Sequence, residues 1–101
     1  MRVVLTEKAI ADLIRIGRFI QEDNPARAVT FVEELEQRCQ GLAGMARAFP
    51  LLPGREQAGI RRRSHGNYLI FYRLSDAEAL VEVLHVRNGA QDYDAILFPA
   101  G

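Results

Sequence analysis

Cysteine, lysine and net charge are all scarce in this chain, and each scarcity removes a class of function. A single cysteine, Cys39, leaves no partner for an internal disulfide and no second thiolate for a zinc site. That usage fits a reducing compartment. Thirteen basic residues balance thirteen acidic ones, so any nucleic-acid role would need a local basic patch rather than a cationic chain. Only one of the basic residues, Lys8, is a lysine. Nothing approaches 18 uninterrupted apolar residues, which excludes a spanning helix. The N-terminal MRVVLTEKAIADL reaches Glu7 and Lys8 too soon to hold a signal-peptide core. The cytoplasm is the expected location, with no membrane partner. Disorder is excluded by a composition about half hydrophobic at zero net charge.

What is present suffices for one domain over residues 1–101 with a core that needs no metal or disulfide. Val3 to Leu5 reads as a short strand. Thr6 is placed to cap a helix running from Glu7 to about Asp23. Ile10, Leu13, Ile14 and Gly17 recur on it at helical spacing, and Ile16, Phe19 and Ile20 widen the stripe, which predicts burial over a broad face. Asn24-Pro25 announces a second helix, Asn as cap and Pro at the first position. Its seam, Ala28, Val32, Leu35, Cys39, Leu42, Ala46 and Phe49, predicts a helix reaching Pro50 and packed antiparallel on the first.

From Gly59 the period changes to that of strands. IRRRSHGNYLIFYRL predicts a hairpin around Gly66-Asn67, with Gly at the first turn position suiting a type II′ turn. In its second arm Tyr68, Ile70 and Tyr72 alternate with Leu69 and Phe71, so both faces carry large apolar groups. Leu80 to Arg87 is a further strand, and a brief helix spans Asp92 to Leu97. The order β-α-α-β-β-β-α makes the fold α+β, a helical hairpin on one face of a small antiparallel sheet.

Chemistry-bearing residues are few. Between Arg55 and Arg73 five arginines meet one acid, Glu56, a local excess of four. Arg61 and Arg63 share a strand face and Arg62 points the other way. Such a strip suits bidentate capture of phosphate or carboxylate, and equally a solvated strand whose charges discourage edge aggregation. His85, inside an apolar strand, has the residue type of a general base but no nucleophile at a telling spacing, so a partly buried structural role is expected. His65, beside the turn, is expected to be exposed. The two histidines do not make a metal site, and no cofactor fingerprint occurs. Cys39 reads as a packing residue, and Glu82 as one half of a cross-strand charge pair.

Together the segments NYLIFYR at Asn67 to Arg73 and VEVLHVRNGAQDYDAIL at Val81 to Leu97, with T-x-x-A-x-x-D-L at Thr6 to Leu13 and N-P-x-x-A at Asn24 to Ala28, resemble the ParE branch of the ParE/RelE toxin superfamily. The resemblance covers nearly the whole chain. It implies the toxin of a type II toxin–antitoxin module, a poison of DNA gyrase that needs no catalytic residues, is neutralised by a cognate antitoxin and meets DNA only through that antitoxin. On this reading Arg61, Arg63, Arg87, Asp92 and Tyr93 face gyrase, and Ile16, Phe19, Ile20 and Phe31 take an amphipathic antitoxin helix. The RelE branch implies instead a ribosome-dependent ribonuclease, for which Arg61, Arg63, Arg73, His85 and Arg87 are the available groups. A module that binds its antitoxin without toxicity is the third alternative.

Overall fold

The computed structural model describes residues 1–100. Strand β1 (Arg2–Leu5) leads through Thr6 into α1 (Glu7–Gln21), and α2 (Pro25–Gln40) returns along it. Strands β2 (Ile60–His65), β3 (Tyr68–Ser75) and β4 (Leu80–Asn88) follow, then a short helix α3 (Tyr93–Leu97). Both long helices begin as expected. The Thr6 hydroxyl oxygen accepts from the Ala9 N–H, and the Asn24 side chain accepts from the Arg27 N–H.

The sheet order is β1-β4-β3-β2. The pairs β2–β3 and β3–β4 are antiparallel, whereas β1 joins β4 in parallel, so the sheet is mixed where a purely antiparallel one was expected. The parallel pairing needs a long crossover, and here the two helices and both arms of the hairpin supply it. Gly66 has a φ of 58° and its neighbour Asn67 is not in the positive-φ region, as a type II′ turn requires. The charge pair also forms: Arg73 and Glu82 are register partners, with Nη2 3.1 Å from Oε1.

Helix α2 is shorter than its apolar seam. It ends at Gln40, and Gly41–Gly44 forms a 3₁₀ turn before the chain bends toward Pro50. Two glycines in GLAG make a continued helix costly, yet Leu42 and Ala46 stay buried because the turn keeps them over the core. The stripe on α1 is also narrower than expected. Its core face is Ala9, Leu13, Ile16 and, half-buried, Ile20, while Ile10, Ile14 and Phe19 are exposed. A helix packed on a sheet and on one neighbour keeps a third side open.

Large side chains on both faces of β3 call for cover on both. Ile70 and Tyr72 join Leu13, Ile16, Leu35, Cys39 and Leu42 under the helical hairpin. Phe71, on the opposite face, packs with Leu52, Ile60, Leu84, Tyr93 and Leu97. The C-terminal segment therefore closes a second, smaller core. Tyr72 is fully buried and donates its hydroxyl to the Ala46 carbonyl at 2.6 Å. Burial also pushes its phenol upward, and the Cys39 thiol to about 12.

Two outcomes follow from this packing. Tyr72→Phe strands a buried carbonyl and should lower unfolding free energy by about 1–2 kcal/mol in urea titration. Cys39, protonated and enclosed at neutral pH, should resist a thiol reagent such as dithionitrobenzoate until the protein is unfolded.

Candidate functional site

A carboxylate at the inner face of α1 organises the middle of the molecule. Asp12 is 1% exposed. Its Oδ2 lies 2.7 Å from His85 Nδ1 and accepts from the Val86 N–H at 2.9 Å. Its Oδ1 takes Arg15 Nη1 at 2.8 Å and stands 3.3 Å from Arg87 Nη2. A carboxylate only accepts, so the shared proton sits on His85 Nδ1.

The β4 side of this cluster is shaped by a bulge. The register runs from Phe71↔His85 to Tyr72↔Val83, which leaves Leu84 as an extra residue. Val81 and Val83 face the helices, and after the bulge Val86 does too. Strand β1 stops opposite Val83, so the Val86 N–H has no strand partner there and Asp12 fills that vacancy. Thr6 pins the start of α1 to the same place, its N–H and hydroxyl both bonding to the Val83 carbonyl.

The arginine strip is engaged with its own protein. Arg61 Nη1 donates to the Phe49 carbonyl at 2.7 Å, and Arg63 Nη1 to the Arg38 carbonyl at 3.0 Å while its guanidinium lies 4.8 Å from the Phe49 ring. Desolvation pulls the Arg63 guanidinium below its ordinary range. On the opposite face Arg62 Nη1 donates to the Tyr93 hydroxyl at 3.1 Å, and the Tyr93 ring packs on Phe71 at 5.0 Å. Asp92 caps α3 by accepting from the Ala95 N–H. Arg55 grips Asp94 through two hydrogen bonds and covers the Phe98 ring at 4.2 Å, and that guanidinium holds the Asp94 carboxyl below the usual carboxylate range.

Between α1 and α2, with Leu5 of β1 at one end, runs an open apolar groove of about 520 Å³. Ile10, Ile14 and Val29 line it at 47%, 51% and 60% exposure. Its floor is narrow because a Cβ on Gly17 would stand 3.3 Å from Val32 Cγ2. Arg18 and Gln21 border it on α1, and Glu33 and Glu36 on α2. Among the described residues no helix is long and apolar enough to cross a membrane, and no three His, Cys, Asp or Glu side chains cluster for a metal.

The sequence matches the family model described as the ParE toxin of the type II toxin–antitoxin system, parDE, over residues 3–93. The chain belongs to the ParE toxin family. The fold of this ParE-family toxin is similar to that in the chromosomal ParDE toxin–antitoxin system from P. aeruginosa, with a TM-score of 0.73 at 20% identity, covering 87% of this chain and 95% of that one. It is also similar to that in the RelBE2 toxin–antitoxin complex from Mycobacterium tuberculosis, with a TM-score of 0.65 at 23% identity, covering 86% of this chain and 95% of that one. No curated protein matches the sequence.

For this ParE-family toxin the residues singled out in the sequence fall largely into separate places. Arg61 and Arg63 bond main-chain carbonyls near the far edge of the sheet, Arg73 bonds Glu82 and lines one depression with His85, and His85 and Arg87 meet through Asp12. Asp92 and Tyr93 sit on the opposite face from Arg61 and Arg63. Ile16, at 6% exposure, belongs to the core and lines no part of the helix groove, bordering instead the Phe19 flank of α1. Phe31 is walled in by Arg27, His65 and Tyr68, and Ile20 packs against the core, while Phe19 is 66% exposed on another side of α1. His65 is half-buried against Phe31, not exposed, and lies 2.8 Å from Glu34. Ile10, Ile14 and Val29 had been assigned to the buried stripe or passed over. In the sequence Asp12 stands only as the D of T-x-x-A-x-x-D-L, with no role attached. Its signal was a lone acid at i+3 from Ala9 and i−4 from Ile16, in the middle of an apolar stripe.

Asp12→Ala leaves His85, the Val86 N–H and Arg87 without an acceptor and should cost about 3–5 kcal/mol in urea unfolding, with Asp12→Asn recovering part of it. Arg27 first, and His65 second, hold the Glu34 carboxyl at about 2 against an ordinary value of 4.5. A folded-state pKa lowered in this way adds stability that is complete above pH 4.5 and is lost as pH falls toward 2. Glu34→Gln should therefore lower the thermal midpoint at neutral pH and flatten its decline across that acid window.

Proposed function

We propose that this ParE-family toxin acts by binding DNA gyrase and is neutralised by an antitoxin helix laid in the groove between α1 and α2. The observation that carries the non-catalytic reading is the dispersal of the ionisable groups. In-line cleavage of RNA needs a base and several cations around one phosphate. Here Arg61 and Arg63 are held by main-chain carbonyls, Arg73 by Glu82, and the His85 Nδ1 by Asp12. A docking surface needs no such convergence. The second face of the sheet offers Arg62, Tyr93, Arg55 and Phe98 side by side, stiffened by the Arg62–Tyr93 and Arg55–Asp94 contacts. Of the residues expected at gyrase, Asp92 and Tyr93 share this surface, and Arg61, Arg63 and Arg87 lie elsewhere.

The groove supports the antitoxin half of the proposal. Ile10, Ile14 and Val29 form the kind of apolar trough that an amphipathic helix fills with residues at i, i+3/i+4 and i+7. A segment that folds on the toxin gives up ordering entropy in exchange for a large wrapped surface. Both solved relatives come from toxin–antitoxin systems, in agreement with a partner of this kind.

Added to a gyrase supercoiling reaction, the purified protein should yield linearised plasmid, and added to translating ribosomes it should leave mRNA uncut by primer extension. Cuts in the ribosomal A site would overturn the proposal in favour of a ribonuclease, and silence in both assays would leave an antitoxin-binding module. Val29→Asp, on an exposed side chain, should keep the fold and weaken the antitoxin encoded beside the toxin by at least about tenfold, roughly 1.4 kcal/mol, as read by calorimetry.

A further inference from the structure

A second depression, of about 370 Å³, lies on the other side of α1, between that helix, the start of β3 and the end of β4. Ile16, Phe19, Tyr68 and Val86 give it an apolar lining, and Arg15 and Arg87 stand at its rim. Its size is at the low end of ligand pockets, about 300–1,000 Å³.

The rim is unbalanced in charge. Arg15 and Arg87 both turn to one oxygen, Asp12 Oδ1, at 2.8 and 3.3 Å, while Oδ2 is occupied by His85 and the Val86 N–H. One carboxylate thus answers two guanidiniums. Among the described residues no acidic side chain lines the depression. Arg87 is also under-bonded: its Nη2 contact is long, and its enclosed Nε has no hydrogen-bond partner. Buried polar groups in folded proteins are nearly always bonded, and a guanidinium offers five donors. Arg15 keeps most of its donors in solvent, its side chain being 59% exposed.

We propose that this cleft is a binding subsite for an acidic peptide segment, taking an apolar side chain against Phe19 and Tyr68 and an adjacent carboxylate between Arg15 and Arg87. A carboxylate matches the planar fork of each arginine. A peptide is favoured over nucleic acid because the excess is a single positive charge, too little to hold a run of phosphates. The subsite deepens the antitoxin reading, on which the identity of the peptide rests. Phe19 stands on the flank of α1 opposite the helix groove, with the exposed outer face of the helix between them.

The test uses the whole protein and small probes, by ¹H–¹⁵N correlation spectroscopy with N-acetyl-leucyl-glutamate amide, its glutamine analogue and uridine monophosphate. The glutamate peptide should give saturable shifts at Phe19, Arg87 and the Arg87 Nε–H, and the glutamine analogue much smaller ones. Arg15→Gln, on an exposed side chain, should weaken the glutamate peptide about fivefold without altering the fold, and Arg87→Gln should do so wherever it remains folded. Val29→Asp should leave these shifts unchanged, which separates the cleft from the helix groove. Absence of saturable shifts, equal response to the glutamine analogue, tighter binding of uridine monophosphate, or an unaltered affinity in folded Arg15→Gln would overturn the proposal.

Discussion

A helix and a strand separated by more than seventy residues are joined by the two oxygens of Asp12. One oxygen holds His85 and the main chain of β4 where β1 runs out, and the other draws in Arg15 and Arg87. A carboxylate this deep is tolerable only because every side of it meets a donor. It ties the inner face of α1 to the end of β4. Ala9, Leu13 and Ile16 go inward with Asp12, Ile10 and Ile14 turn toward α2's outer side, and Phe19 is left in the open. The groove and the cleft lie on the two flanks of the helix that Asp12 anchors.

The β4 bulge works with that anchor. A strand of strict alternation would place Val83 and Val86 on opposite faces, and one of them would leave the main core. The extra residue at Leu84 lets both valines face the helices while Leu84 itself serves the second core. It also brings His85 and the Val86 N–H together at the point that Asp12 reaches. The Thr6 cap ties the helix start to the same carbonyl row. Strand, bulge, cap and buried acid therefore act as one joint.

Arginine is used throughout this protein as a structural clamp. Arg61 and Arg63 reach across to carbonyls at the end of α2 and beyond, tying β2 to the chain that leads into it, and Arg55 and Arg62 hold α3 to the second face. The planar, multi-donor guanidinium suits this work better than an ammonium would, in keeping with a chain that has one lysine. Clamped arginines are poorly placed to gather round a reacting phosphate. The same clamping gives the C-terminal face a fixed shape.

Local chemistry along the chain was enough to specify the order of elements, both helix caps, the hairpin turn and a charge partner for Glu82, because capping, periodicity and turn residues act within a few positions of one another; the family was legible by resemblance. The two apolar faces of β3 were legible too, and they already required the second core that α3 completes. Tertiary structure alone decided the parallel seat of β1, the early end of α2, the bulge, the partners of each arginine and which apolar residues of α1 stayed outside. A stripe of hydrophobic residues tells that a helix is buried, but its open side depends on what packs against it from distant sequence. Asp12 shows the same limit: its spacing put it on the inner face, and only the meeting with β4 supplied the donors that make an acid at home there.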